Sequence, residues 1–500
     1  MTISFDSVSP DIRVPLFYAE IDNSAANIPQ GNAGPSLLIG TPADKIDVPV
    51  QPILVSSAEQ IAKIAGPGSQ LARMAKAYRT IDQVGELWVI PANIPDGAAA
   101  EGKISLSGTA SANGSFSVYI GSDVYYVVVR ADDTAVELAK AVANVINNDS
   151  DTRFVATVDP SKSEVILTCK SVGAAGNGIP VALNYRGNAA SETLPEGLSV
   201  TIIQPTGGAG IPAIAKIISA MGDETYDFIG LPFTDPSSLN AMRDEMSEAS
   251  GRWSYARQLY GHVYGAARGS TAALVTLVGE RNDQHLSIAG YEEDVQTALD
   301  ELIALRVARN AVFIRVDPAR PVQTGLLNGS LPARSGKRFL LGERNILLKY
   351  GVASAYTQSG QLRIEREVTT YTRNAYNQPD VSYLDSETLH TCAYVLRRLK
   401  SVITSKYGRH KLANDGTRFG AGQAIITPKV ARGEICAEYK RLEMSGIVEN
   451  FDLFNKHLIV ERSKTNPNRL DVLFPPDFVN QLRIFAVAMQ FRLQYETEEE

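Results

Sequence analysis

Cysteine is scarce in this chain: three residues in 500, namely Cys169, Cys392 and Cys436, far apart and odd in number. No CxxC pair and no Cys/His ligand spacing occurs, so neither a disulfide framework nor a zinc site follows, and buried free thiols in a reducing cytoplasm are the expectation. No apolar run approaches the roughly 18–20 residues a membrane span needs. The opening "MTISFDSVSPDIRVPLFYAEI" carries neither a basic n-region nor an apolar h-region, so no signal peptide is read there and a soluble cytoplasmic product is expected. Cations are not in excess either. With 48 Lys and Arg against 55 Asp and Glu, the formal net charge of −7 argues against a general nucleic-acid binder, which needs clustered Lys and Arg to release counterions.

Catalytic signatures are missing as well. The five histidines, His262, His285, His390, His410 and His457, form no HExxH, no pair on one helix face and no cluster with carboxylates. No GxSxG nucleophile elbow exists. "TGGAG" at 206–210 precedes a helix, where free backbone amides could hold a phosphate, but it lacks both the Walker lysine and the GxGxxG spacing. A tight strand-to-helix turn accounts for it. A hydrolase using the α/β region remains a remote alternative, since spatial triads can hide from sequence; no enzyme, cofactor or metal is the expectation.

What is present is a rhythm of alternating elements. "SLLIGTP" reads as a short buried strand, "SSAEQIAKIAGPGSQLARMAKAYRTID" as two short helices broken at Gly66-Pro67-Gly68, and "ELWVIPA" as another strand. Such alternation is that of an α/β layer with a parallel sheet. Composition then changes. From Asp96 to Gln204 short strands with Gly, Ser and Asn turns surround one helix, opened by a capping box at Thr134 and Glu137. The first rhythm resumes with "YDFIGLP", "LYGHVYGA", the helix "DVQTALDELIALRVARN" and a closing strand "AVFIRVDP". The expected fold is therefore mixed α/β and α+β in several domains. A doubly wound domain is read at 35–95 and 205–318, with an α+β module inserted at 96–204. An α+β domain is read at 319–470, holding a long helix whose last turns are cationic.

Both ends read as extended arms. Near the start, Ile12, Val14, Leu16 and Tyr18 share one face of a strand, and Pro15 suits it to a sheet edge; the arm and its polar linker fill 1–34. Within the last segment, 471–500, Phe485, Val487, Met489, Phe491, Leu493 and Tyr495 alternate with the polar Gln490, Arg492 and Gln494. An apolar-faced strand must be covered and its backbone groups paired, within its own chain or by donation to a neighbouring copy. Heterologous donation of this kind builds open helical arrays. "ETEEE" at the end reads as a solubilising gatekeeper. Arg397, Arg398, Lys400, Lys406, Arg409 and Lys411 make the long helix's cationic end, read as a solvated face or as a dock for an acidic protein surface.

Three stretches together, "DIRVPLFYAEIDNSAANIPQGNAGPSLLIG", "TGGAG…YDFIGLPF" and "NPNRLDVLFPPDFVNQLRIFAVAMQFRLQY", resemble the contractile-phage tail sheath proteins of the Mu-like type over essentially the full chain. The resemblance implies a structural subunit of the virion tail, assembled in the host cytoplasm, that polymerises in stacked hexameric rings around a tail tube. It implies contraction from a metastable extended state to drive the tube through the host envelope for genome ejection. Its partners would be further copies of itself, the tube, the baseplate and the tail terminator, with neither nucleic acid nor membrane insertion. The terminal arms would exchange strands between subunits, and the cationic helix end would be the candidate tube contact. The middle domain would have a subtilisin-like fold, although no HGT or GTSM motif stands in this sequence, and the insert would face outward. The sheath of a phage-derived bacteriocin or another contractile injection device is the alternative.

Overall fold

The computed structural model describes residues 34–159, 161–279 and 281–493. The expected N-terminal strand, with Ile12, Val14, Leu16 and Tyr18, lies outside them, as does Tyr495.

An eight-stranded sheet forms the centre. In spatial order its strands are Gln361–Arg366, Val352–Gln358, Leu286–Tyr291, His262–Arg268, Phe228–Gly230, Ser36–Gly40, Leu87–Pro91 and Ile53–Leu54. Inner pairings are parallel, and the outermost pairing at each edge is antiparallel. Ser36–Gly40 is buried throughout because helices cover both faces. Leu38 joins one apolar cluster with Met74 and Tyr78 of helix Gln70–Arg79 and Leu302 and Ala311 of helix Leu299–Val316. Leu37 and Ile39 join the opposite cluster, with Ile217, Met242 and Leu274 from helices Ile214–Met221, Pro236–Met246 and Thr271–Gly279. This is a mixed α/β chain of several folded units.

Three readings need correction. "AVFIRVDP" is no strand; its first six residues, Ala311 to Val316, end helix Leu299–Val316, and Asp317 caps it. Ala304, Val307, Ala308, Ala311 and Ile314 are buried at helical spacing, and nothing breaks the pattern before Pro318. The strand that was missed is Leu286–Tyr291, whose Ser287, Ala289 and Gly290 are small and buried on both faces, so no alternation marks it. Nor does the sheet end at 318: Val352–Gln358 adds to Leu286–Tyr291 in parallel, and Gln361–Arg366 follows.

Two further sheets lie within 99–206. Leu198–Thr206, Ala99–Gly108, Glu164–Val172 and Phe154–Asp159 form one; Asp123–Val129, Gly114–Ile120 and Val181–Leu183 form the other. Both pack on helix Ala135–Asn147 through Ile104, Val118, Leu138, Val142 and Leu167. The capping box forms, with Thr134 N donating to Glu137 Oε2 at 2.9 Å and Glu137 N to Thr134 Oγ1 at 3.4 Å. Buried charges join this part to the central helices. Arg73 Nη2 lies 2.8 Å from Asp123 Oδ2, Arg73 Nε 2.7 Å from Glu301 Oε1, and Arg153 forks onto Asp300 at 2.7 and 3.0 Å.

Helix Ser386–Tyr407 lies against the sheet through His390, whose ring stacks on Phe228 with centroids 4.7 Å apart; its Nε2 shares a 2.9 Å hydrogen bond with Tyr264 Oη. Burial pushes the His390 pKa down to about 4, opposed by Asp227 and helped by Arg397. The unfolded chain takes up the proton near pH 6.5 and the folded chain does not. Stability from this site is thus complete above about pH 6.5 and falls as pH drops towards about 4. His390→Gln should flatten that portion of the pH profile of the urea midpoint; an unchanged slope would remove His390 as its origin.

Candidate assembly site

The C-terminal part is built on an aromatic stack. Tyr439, from helix Pro428–Met444, lies against Phe454 of helix Phe451–His457 with centroids 3.7 Å apart, and Phe474 meets Phe454 edge-on at 5.2 Å. Val395, Ile435, Leu442 and Val448 complete the cluster. Strands Ile459–Arg462 and Leu470–Leu473 form an antiparallel hairpin about the Asn-Pro-Asn turn, pairing Ile459 with Leu473 and Val460 with Val472. That sheet has only these two strands among the described residues. Ile459, Val472 and Leu473 stay largely exposed upon it. Two-stranded sheets are marginal alone and gain most from an added strand.

From the hairpin the chain crosses the aromatic cluster. Glu449 N donates to Asp477 O at 2.9 Å, Val479 N to Ile447 O at 3.2 Å, and Asp477 N to Tyr439 Oη at 3.2 Å. It then runs past Ala319, at the margin of that cluster, to the start of helix Ser386–Tyr407. Gln481 Nε2 donates to Ala319 O at 3.0 Å, and Gln323 Nε2 to Leu482 O at 3.2 Å. Arg483 Nη2 reaches Glu387 Oε1 at 3.0 Å and Asp385 Oδ1 at 3.2 Å. Beyond it, residues 484–493 form no strand ladder with any of the described residues. Phe485, Val487, Met489, Phe491 and Leu493 are exposed at 71% or more, and Ile484 on the other side at 80%. A strand exists only with a partner, and no described segment of this chain supplies one.

The cationic helix end is divided. Arg397 forks onto Asp227 at 2.6 and 2.7 Å and lies over the Tyr260 ring. Arg398 Nη2 pairs at 2.8 Å with Glu438, whose side chain is fully buried, and Lys406 with Glu434 at 2.6 Å. These three therefore act inside the chain. Lys400, Arg409 and Lys411 are exposed, and Lys411 Nζ donates to Gln423 Oε1 at 3.0 Å. The carboxylates that claim Arg397 and Arg398 lie 170 and 40 residues away, beyond any local pattern.

"TGGAG" is a locked turn. Gly208 N donates to Asn177 Oδ1 at 2.7 Å, Asn177 Nδ2 returns a 2.8 Å bond to Gly208 O, and the helix begins only at Ile214. His262 meets Ser287 Oγ at 2.9 Å, both wholly buried, while its Nδ1 has no hydrogen-bond partner among the described residues. A nucleophile–base pair needs an orienting third group and access to substrate, and this one has neither.

Residues 207–370 match the phage tail sheath protein central domain, and residues 378–492 the phage tail sheath C-terminal domain. The Mu-like prophage FluMu tail sheath protein of Haemophilus influenzae is 39% identical over 497 residues, covering 99% of this chain and 100% of that one. Among solved structures, the sheath tail protein of Desulfitobacterium hafniense aligns with a TM-score of 0.50 at 13% identity, over 94% of this chain and 97% of that one. A sheath tail protein of Listeria innocua aligns with a TM-score of 0.48 at 12% identity, over 90% and 93%.

Proposed function

We propose, from the premise that this chain belongs to the phage tail sheath protein family, that it polymerises in stacked hexameric rings around a tail tube and contracts to drive the tube through a host envelope for genome ejection. One observation carries the reading: the apolar face of 484–493, with Phe485, Val487, Met489, Phe491 and Leu493, is exposed and joins no strand ladder among the described residues. Burying the five residues Phe485, Val487, Met489, Phe491 and Leu493 would release on the order of 10 kcal/mol before the cost of ordering them. A second copy supplies the cover. The hairpin Ile459–Leu473, with two open edges and exposed Ile459, Val472 and Leu473, is the acceptor this geometry favours. The N-terminal arm, with Ile12, Val14, Leu16 and Tyr18, is donated in the same manner.

The tube is met by Lys400, Arg409 and Lys411, since the charges of Arg397, Arg398 and Lys406 are neutralised by carboxylates of the same chain. The doubly wound part, read as subtilisin-like, serves as scaffold; the part inserted at 96–204 faces outward; the C-terminal part at 319–470 carries the assembly contacts. Baseplate and terminator close the two ends of the polymer, and assembly takes place in the host cytoplasm. Contraction draws on interfaces gained in the shorter lattice, not on nucleotide hydrolysis.

Negative-stain microscopy tests this on the full chain beside a chain ending at Arg483. Hollow helical cylinders are expected from the full chain, and a folded protein that forms none from the shortened one. Equal cylinders from both would remove the C-terminal strand from the mechanism.

A further inference from the structure

We infer that Arg483 is a latch that sets where and in what direction the C-terminal strand leaves the body. This rests on the strand-donation reading above and deepens it. Residues 474–479 belong to the aromatic cluster of the C-terminal helices, whereas 481–483 are held by Ala319, Gln323, Asp385 and Glu387. The chain thus passes from the aromatic cluster to the start of helix Ser386–Tyr407 within a few residues, makes ion pairs there at Arg483, and is exposed from Ile484 to Leu493.

The receiving surface is rigid. Glu387 Oε1 also accepts Val322 N at 3.0 Å, and Arg366 forks onto Asp385 at 2.7 and 2.8 Å. Just beyond Val322, Thr324 N donates to Ile364 O and Leu327 N to Leu362 O, so the segment carrying Gln323 is tied to the edge strand of the central sheet. The root of the donated strand is therefore referred to the sheet and not to the hairpin from which its chain has come. Arg483 Nη2 meets Glu387, Asp385 and the Gln481 carboxamide, and its Nη1 reaches the Gln323 carboxamide at 3.4 Å. A lysine keeps the charge but has one nitrogen, so it loses the contact that the second nitrogen makes with Gln323. The Arg483 side chain is 12% exposed and that of Glu387 is fully buried, so the contact is shielded from salt.

A strand fixed at its root loses less freedom on docking than one that begins loose, and it reaches a neighbour in one register. With the Arg483 side chain removed, 481–482 keep only the neutral bonds of Gln481 to Ala319 O and of Gln323 to Leu482 O, and the next backbone–backbone tie is the Val479–Ile447 bond. Arg483 is a positioning residue in this account, acting through the strand it aims.

The test compares the full chain with Arg483→Met and Arg483→Lys. In unpolymerised protein, brief chymotrypsin digestion followed by mass spectrometry should cut the unsubstituted chain after Phe485 and Phe491. The methionine variant should also be cut after Leu482, with thermal unfolding of the body unchanged. The critical concentration for polymer should rise at least about tenfold in Arg483→Met and less in Arg483→Lys. Identical digestion patterns would overturn the latch. So would a changed pattern with an unchanged critical concentration, and that result would leave polymerisation standing. If the unsubstituted chain forms no polymer, the function proposed above fails, and digestion alone then decides the latch.

Discussion

Replacing Arg306 with methionine should cost about 3–5 kcal/mol of stability, because it strands a buried carboxylate. Arg306 and Glu367 are each 1% exposed, and Arg306 Nη2 and Nε lie 2.8 and 3.1 Å from Glu367 Oε2. Asn310 Nδ2 adds a bond of 3.2 Å to the same oxygen, and Tyr291 Oη accepts from Arg306 Nη1 at 3.2 Å. Burial works against the arginine's charge, yet Glu367 and Tyr291 outweigh it and raise its pKa. The pair spans helix Leu299–Val316 and the turn after strand Gln361–Arg366, so its loss should be read in the unfolding of the central sheet. The double variant Arg306→Met with Glu367→Leu should regain much of the loss, since two apolar groups can replace a buried pair at little cost. A single variant whose urea midpoint implies a loss below about 1 kcal/mol would contradict this account.

Arg153→Met should have an effect of similar size, about 3–5 kcal/mol, with a different signature. Arg153 brings the inserted part to the N-terminal turn of helix Leu299–Val316 through Asp300 and Glu301, all three nearly dry. Without it, Arg73 remains for Asp123 and Glu301, and Asp300 loses its forked cation. Burial raises the Asp123 pKa against the pull of Arg73. Burial also works to raise that of Glu301, but Arg73 and Arg153 outweigh it and hold it at about 2. A carboxylate held low contributes stability that is present above its unfolded pKa of about 4.5 and is lost as pH falls towards 2. The variant should lose part of that acid dependence as well as stability. Amide exchange near Ser122–Asp123 and Leu299–Glu301 should quicken while the far edge of the sheet keeps its protection. Uniform quickening across the sheet would mean that the cluster is no joint.

Local signals were legible in the sequence, and distant partners were not. The break at Gly66–Gly68, the capping box at Thr134 and the alternation from Phe485 to Leu493 depend on neighbours within a few residues. Leu286–Tyr291 and the helical run through Val312 escaped because a strand buried on both faces shows no period, and a short apolar run suits a strand or a helix equally. The cationic helix end looked uniform because Asp227 and Glu438, which claim Arg397 and Arg398, come from other parts of the chain. The exposed strand was readable as needing cover. That its root is held at Arg483 by Asp385 and Glu387 was not, since the contact spans 96 residues or more.

The edges of the central sheet bear on how many ways one copy can join another. One edge is the two-residue strand Ile53–Leu54. Along the other, Gln361–Arg366, the outward groups are taken by the segment through Thr324, Gly325 and Leu327, with Leu326 bridged to Arg363. The central sheet thus offers a neighbouring copy little main-chain edge of its own. On the strand-donation reading proposed above, the links between copies run through the arms and not through this sheet, so bodies can turn past one another while the joints persist.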